Sequence, residues 1–212
     1  MSGDVLIVVG ALAVLAVMGA LAWLARNIRR VTPGTALIVH GMGDRGSRVH
    51  LDGAALVLPV VQRADVIDLS IQPIELDRRG KEGLSCKDGI RADVKTTFLL
   101  RVNPTIEDVL SVAQSVGCAR ATDRATLEQL FTAKFGEALK IVAGQLDFEH
   151  LHAERDKFRG QVMVTIGASL NGYRLDDVAI DYLEQTPLEQ LDPHNVLDAR
   201  GIKKIKAQTA RN

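Results

Sequence analysis

Val5 to Ala25 (VLIVVGALAVLAVMGALAWLA) carries no charged side chain, and this run limits what the chain can become. As an α-helix rising 1.5 Å per residue it reaches roughly 30 Å, about the hydrocarbon thickness of a bilayer. A helix in lipid satisfies its own backbone hydrogen bonds, whereas an open strand there leaves them unmade. Helices of soluble proteins rarely stay apolar on every face over this length. A cleaved signal peptide has a basic start, a shorter apolar stretch and a small-residue cleavage site. Here Ser2, Gly3 and Asp4 precede the run, with no Lys or Arg. The run is therefore read as a retained membrane anchor. Val5, Leu6, Ile7, Leu12, Leu15, Leu21 and Leu24 would meet lipid, and Trp23 would sit at headgroup level. Arg26, Arg29 and Arg30 follow at once, and a basic flank of this kind stays cytoplasmic. The expected topology is a single pass, with a short outer tail over 1–4, the span over 5–25 and nearly all the rest inside the cell.

The 212 residues allow the anchor and one globular domain of ordinary size. Lys and Arg number 26, as do Asp and Glu, so net charge gives no nucleic-acid footprint. Aromatic residues make up 4% of the chain, too few for base-stacking platforms. The local excess of basic residues past the anchor includes Arg45 and Arg48; anionic headgroups or plain solvent would both suit them. The two cysteines, Cys86 and Cys118, show no metal-ligand spacing and fit a reducing compartment. Cys86 lies in a turn-like stretch, LSCKDG, where an exposed plain thiol is expected.

Along the chain, Thr32-Pro33-Gly34 reads as the breaker that ends the helix. Short strands are expected at Thr35 to His40, Arg48 to Leu51, Ala54 to Leu58, within Val60 to Ile71, at Ile74 to Asp77 and at Leu84 to Cys86. Gly41 to Gly46 has phosphate-loop glycines but no G-K-[S/T] ending, so it reads as a hairpin connection. Ile90 to Val102 (IRADVKTTFLLRV) alternates most clearly, with Ile90, Ala92, Val94, Thr96, Phe98 and Leu100 on one face. At Asn103-Pro104 the period changes to that of a helix capped by Asn103 and ending near Gly117. A longer helix follows over Asp123 to Val142, with Leu127, Leu130, Phe131, Phe135, Ala138, Leu139 and Val142 inward. One more runs from Asp147 to Asn171-Gly172. Tyr173 to Tyr182 returns as a strand around a turn-like Asp176-Asp177. Strands, then helices, then a strand make an α+β domain: an antiparallel sheet with helices packed on one side. From Thr186 the composition loosens, and a helix restarts over Leu197 to Ala210, with Ile202, Ile205 and Thr209 on a narrow stripe.

Three segments then carry a family resemblance: RVHLDGAALVLPVVQRADVIDLSIQPIEL (Arg48 to Leu76), LSCKDGIRADVKTTFLLRVNP (Leu84 to Pro104) and LEQTPLEQLDPHNVLDARGIKKI (Leu183 to Ile205). With the anchor, they resemble the flotillin branch of the stomatin/prohibitin/flotillin superfamily (SPFH, or band 7), closest to bacterial inner-membrane flotillins of the YqiK type. The resemblance implies an SPFH/band 7 domain over 26–186, then a linker and the start of a truncated C-terminal helical region over 187–212. It implies a bacterial inner-membrane scaffold that forms homo-oligomers and organises lipid and protein microdomains, beside a membrane protease-like partner of the NfeD type. A regulatory adaptor for such a protease or for a transporter is the alternative. No enzyme is expected. The five histidines, His40, His50, His150, His152 and His194, stand in no catalytic frame, and His150 and His152 diverge on a helix. No catalytic, cofactor-binding or metal residue is assigned; the bilayer is the expected partner, and nucleic acid is not.

Overall fold

The apolar run forms one helix, α1 (Gly3–Arg26). In this computed structural model, residues 3–41, 46–59, 61–167 and 170–210 are described. The helix stops at Arg26, ahead of the Thr32-Pro33-Gly34 breaker, because Asn27 turns the chain. Its backbone N–H donates to Leu24 O (3.1 Å) and its side-chain Nδ2 donates to Trp23 O (2.9 Å). Arg29 and Arg30 therefore lie on a strand, β1 (Ile28–Arg30), and not on the helix.

Eight further strands follow: β2 (Thr35–Gly41), β3 (Arg48–His50), β4 (Ala54–Leu56), β5 (Gln62–Asp68), β6 (Gln72–Arg78), β7 (Leu84–Ser85), β8 (Arg91–Val102) and β9 (Tyr173–Gln185). Among the described residues the strands form three antiparallel sheets rather than one. β1 pairs with β4; β2 lies between β3 and β5; β8 carries β9 along one edge, with β6 and β7 sharing the other. The return of β3 against β2 makes Gly41 to Gly46 a hairpin connection at its two ends; Met42 to Arg45, and with them the headgroup role read for Arg45, lie outside the described residues.

The alternation along β8 behaves as its sequence requires. Ile90, Ala92, Val94, Thr96, Phe98, Leu100 and Val102 are all buried. Asp93, on the opposite parity, is also buried, accepting a hydrogen bond from Gly80 N (2.9 Å) and one from the Thr186 hydroxyl. β9 holds one extra residue at Asp181 and one at Asp176 relative to β8, since the pairing steps from Tyr182 to Ile180 and from Asp177 to Leu175. The acidic pair read as a turn is thus a bulge inside a continuous strand, and Asp176 ion-pairs with Arg101 (2.8 Å) and Arg174 (3.1 Å). Bulges bend a strand and sharpen its twist.

The helices are α2 (Ile106–Ser115), α3 (Arg124–Ala143), α4 (Phe148–Ala153), α5 (Arg155–Ile166) and α6 (Val196–Thr209). Where one helix was expected from Asp147 to Asn171-Gly172 there are two, because Glu154 leaves helical geometry (φ −111°, ψ 52°); Leu151 before the break and Phe158 after it are both buried. α3 packs against β6, β7 and α5, and α5 packs against β9. Phe98 of β8 stacks on Phe135 of α3 at 4.4 Å between ring centroids, Phe131 stacks on Phe135 at 5.5 Å, and Tyr173 meets Phe131 edge-on at 5.2 Å. Leu130, on the expected inner stripe of α3, is exposed instead.

α2 is capped by Thr105, not Asn103. The Thr105 hydroxyl accepts from Asp108 N (3.2 Å) and donates to the Asp108 carboxylate (2.7 Å), while Asn103 Nδ2 donates to that same carboxylate (2.6 Å). Loss of a Thr cap typically costs about 1 kcal/mol. Thr105→Ala should lower the free energy of unfolding by about that amount in chemical denaturation, and Asn103→Ala by less.

Candidate membrane interface

Val9–Arg26 of α1 is long and apolar enough to cross a membrane, and none of it is buried against the domain. Ile7, Leu12, Leu15, Leu21, Trp23 and Leu24 are all exposed, from 39% at Leu24 to 71% at Ile7. Val5 and Leu6 belong to the same helix, though their side chains lie outside the described residues. Transfer of such a surface into lipid removes apolar area from water without unmaking a backbone hydrogen bond.

The helix α1 does not hang on a loose tether. Beyond Asn27, β1 pairs residue for residue with β4: Ile28 with Leu56, Arg29 with Ala55, Arg30 with Ala54. Val57 N donates to Asn27 O and Val31 N to Gly53 O, each at 3.0 Å, extending the ladder at both ends. Ala55 and Val57 then bury against Leu37 and Val39 of β2, while Ala36 and Ile38 of that strand face the main core. Being covered on both faces, β2 joins the β1–β4 ribbon to the domain. Arg26, Arg29 and Arg30 are exposed along this join, beside the exposed apolar side chains of Ile28 and Leu56. Arg48 is exposed on β3.

At the far end, α6 is docked on the β7–β8 turn. Gly89 takes φ +84° to close that turn. A Cβ on Gly201 would collide with the Gly89 carbonyl, so only glycine permits this approach of helix to turn. Arg91 holds Asp198 through Nε (3.1 Å) and Nη2 (2.7 Å), with both side chains nearly buried, and Lys204 Nζ reaches Asp88 at 2.8 Å. Ile90, Leu191 and Ile205 form a small apolar cluster under the helix. These positions lie in two of the segments that carry the family resemblance, but their pairing shows only in the fold, where the contacts join residues about a hundred apart in sequence.

Cys86 is buried, contrary to its turn-like setting. Burial, with the nearby Asp88 charge, pushes its thiol up to about 12, so it stays protonated and unreactive at neutral pH. Cys118 is half-buried, and burial followed by the charge of Asp65 raises its thiol as well. Cys118 also stands beside two groups that the sequence does not associate with it. Ligand atoms of His40, Asp65 and Cys118 all lie within 4.8 Å of one another. The strand register places Arg63 opposite His40, and Asp65 two residues further on the same face. The loop after α2 brings Cys118 over them, around a cavity of about 350 Å³ that Arg63 and Arg120 also line.

An exposed apolar helix, wired through a short ribbon into a strand-then-helix domain, defines a class: an α+β domain carried on one helix able to cross a membrane. The sequence matches the SPFH domain / Band 7 family over residues 29–210, and the chain belongs to that family. It is similar to the flotillin family inner membrane protein YqiK of Escherichia coli (strain K12), 32% identical over 189 residues, covering 88% of this chain and 34% of that protein. It is also similar to the flotillin family inner membrane protein sll1021 of Synechocystis sp. (strain ATCC 27184 / PCC 6803 / Kazusa), 22% identical over 177 residues, 82% of this chain and 26% of that one. The chain thus spans about a third or less of the length of these curated relatives.

Proposed function

We propose that this chain is a membrane-anchored, homo-oligomerising flotillin-like scaffold that organises microdomains of a bacterial inner membrane, and that it acts without catalysis. The observation that carries the reading is the hydrogen-bonded passage from the exposed helix through the β1–β4 ribbon to the SPFH domain, which would hold the domain close to the bilayer. Arg26, Arg29 and Arg30 favour a cytoplasmic domain, and a reporter fused after Asn212 should accordingly be found inside the cell.

A scaffold acts by self-association in the plane of the membrane. Cross-linking in native membranes, followed by sizing of detergent-extracted protein, should give species that contain several copies of this chain. A monomer without cross-linked species would overturn the scaffold. A stoichiometric foreign membrane protein, such as one of the NfeD type, recovered in place of self-association would favour the adaptor reading.

A further inference from the structure

We propose that His40, Asp65 and Cys118 form a binding site for a zinc-class divalent cation, with a fourth coordination position open to the adjoining cavity. The three residues come from β2, β5 and the α2–α3 loop, so they are far apart in sequence and meet only in the fold. They supply one nitrogen, one carboxylate oxygen and one sulfur, the mixed donor set that suits zinc better than magnesium or calcium.

The geometry is close to what such an ion needs. At metal–ligand bonds of about 2.0–2.3 Å, tetrahedral ligands stand roughly 3.3–3.7 Å apart. His40 Nε2 and Asp65 Oδ2 are 3.4 Å apart, and all three ligand atoms lie within 4.8 Å. Closing the set asks for a shift of about 1 Å by a half-buried thiol on a loop. His40 Nδ1 is held at 2.8 Å by the Ser47 hydroxyl, which leaves Nε2 turned to Asp65. A partner on the second ring nitrogen is the usual support of a metal-binding histidine. Arg63 touches the other Asp65 oxygen at 3.3 Å, but its side chain is 82% exposed and can swing into solvent. A bound ion would tie the α2–α3 loop to the β3–β2–β5 sheet.

Co2+ is the probe, added to the full chain in detergent after chelator treatment. The expected result is a thiolate-to-cobalt charge-transfer absorption that Zn2+ displaces. The band should vanish in Cys118→Ser and persist in Cys86→Ala, and affinity should fall at least tenfold in His40→Ala and Asp65→Asn. Zn2+ should also slow alkylation of Cys118 in the unaltered protein, which needs no variant to fold. No sulfur band, a band that survives Cys118→Ser, or equal alkylation rates with and without Zn2+ would each overturn the site.

Discussion

Replacing Leu12 and Leu15 together by Asp is expected to move the protein out of the membrane fraction. Both side chains lie near the middle of α1 and are about 60% exposed, at 61% and 65%. On insertion scales a charge at mid-bilayer opposes insertion by about 2.5–3.5 kcal/mol, so two oppose it by about 5–7 kcal/mol. That exceeds what the remaining apolar surface of one span can offset, and Val9–Arg26 is not buried against the domain. Leu12→Ala with Leu15→Ala, which keeps the run apolar, should leave the protein membrane-bound through alkaline extraction. Sedimentation of the double-Asp variant with membranes, unchanged after that extraction, would mean that α1 is not the anchor.

The second large effect belongs to α6, at the other end of the chain. Asp198→Ala leaves Arg91 nearly buried without its carboxylate, and breaking a buried pair by removing one partner typically destabilises by about 3–5 kcal/mol. The lower end of that range applies, because Arg91 Nη1 still donates to Lys81 O (2.9 Å) and Gly83 O (3.0 Å). Asp192 N, which donates to Asp198 Oδ2 at 3.2 Å, loses its acceptor too. Chemical denaturation should show the loss, and amide exchange should show it concentrated in α6. Replacing both partners by apolar residues, Arg91→Met with Asp198→Leu, should recover most of it, since the desolvation of both charges then disappears. Equal exchange in α6 with and without Asp198 would mean that Gly201 and the Ile90–Leu191–Ile205 cluster hold the helix by themselves.

These two variants mark the two kinds of feature in the chain. The anchor is written as an uninterrupted run of like residues, and β8 as a strict alternation; both are readable because their cause is local. The same holds for α3, whose stripe from Leu127 to Val142 includes buried Phe131 and Phe135. Reading failed where two local signals competed. Asn103 suits a cap, yet α2 begins at Ile106, and it is the Thr105 hydroxyl that accepts from Asp108 N while Asn103 reaches only the Asp108 carboxylate. Asp176-Asp177 has turn chemistry, yet the pairing of β9 with β8 absorbs Asp176 as a bulge. Cys86 sits among turn residues and is nevertheless buried, with its neighbouring turn, Lys87 to Gly89, covered in part by α6.

By itself the sequence determined that this protein has one greasy helix able to span a bilayer, a basic flank, and a strand-then-helix domain. Hydrophobic period and charge act over a few residues and need no partner to be recognised. Tertiary structure alone decided how the anchor is coupled to the domain, where α6 docks, and which histidine, aspartate and cysteine share a cavity. Each of those depends on strand register and on a loop or helix returning over a sheet, so the residues concerned become neighbours only after long-range pairing has closed the chain on itself.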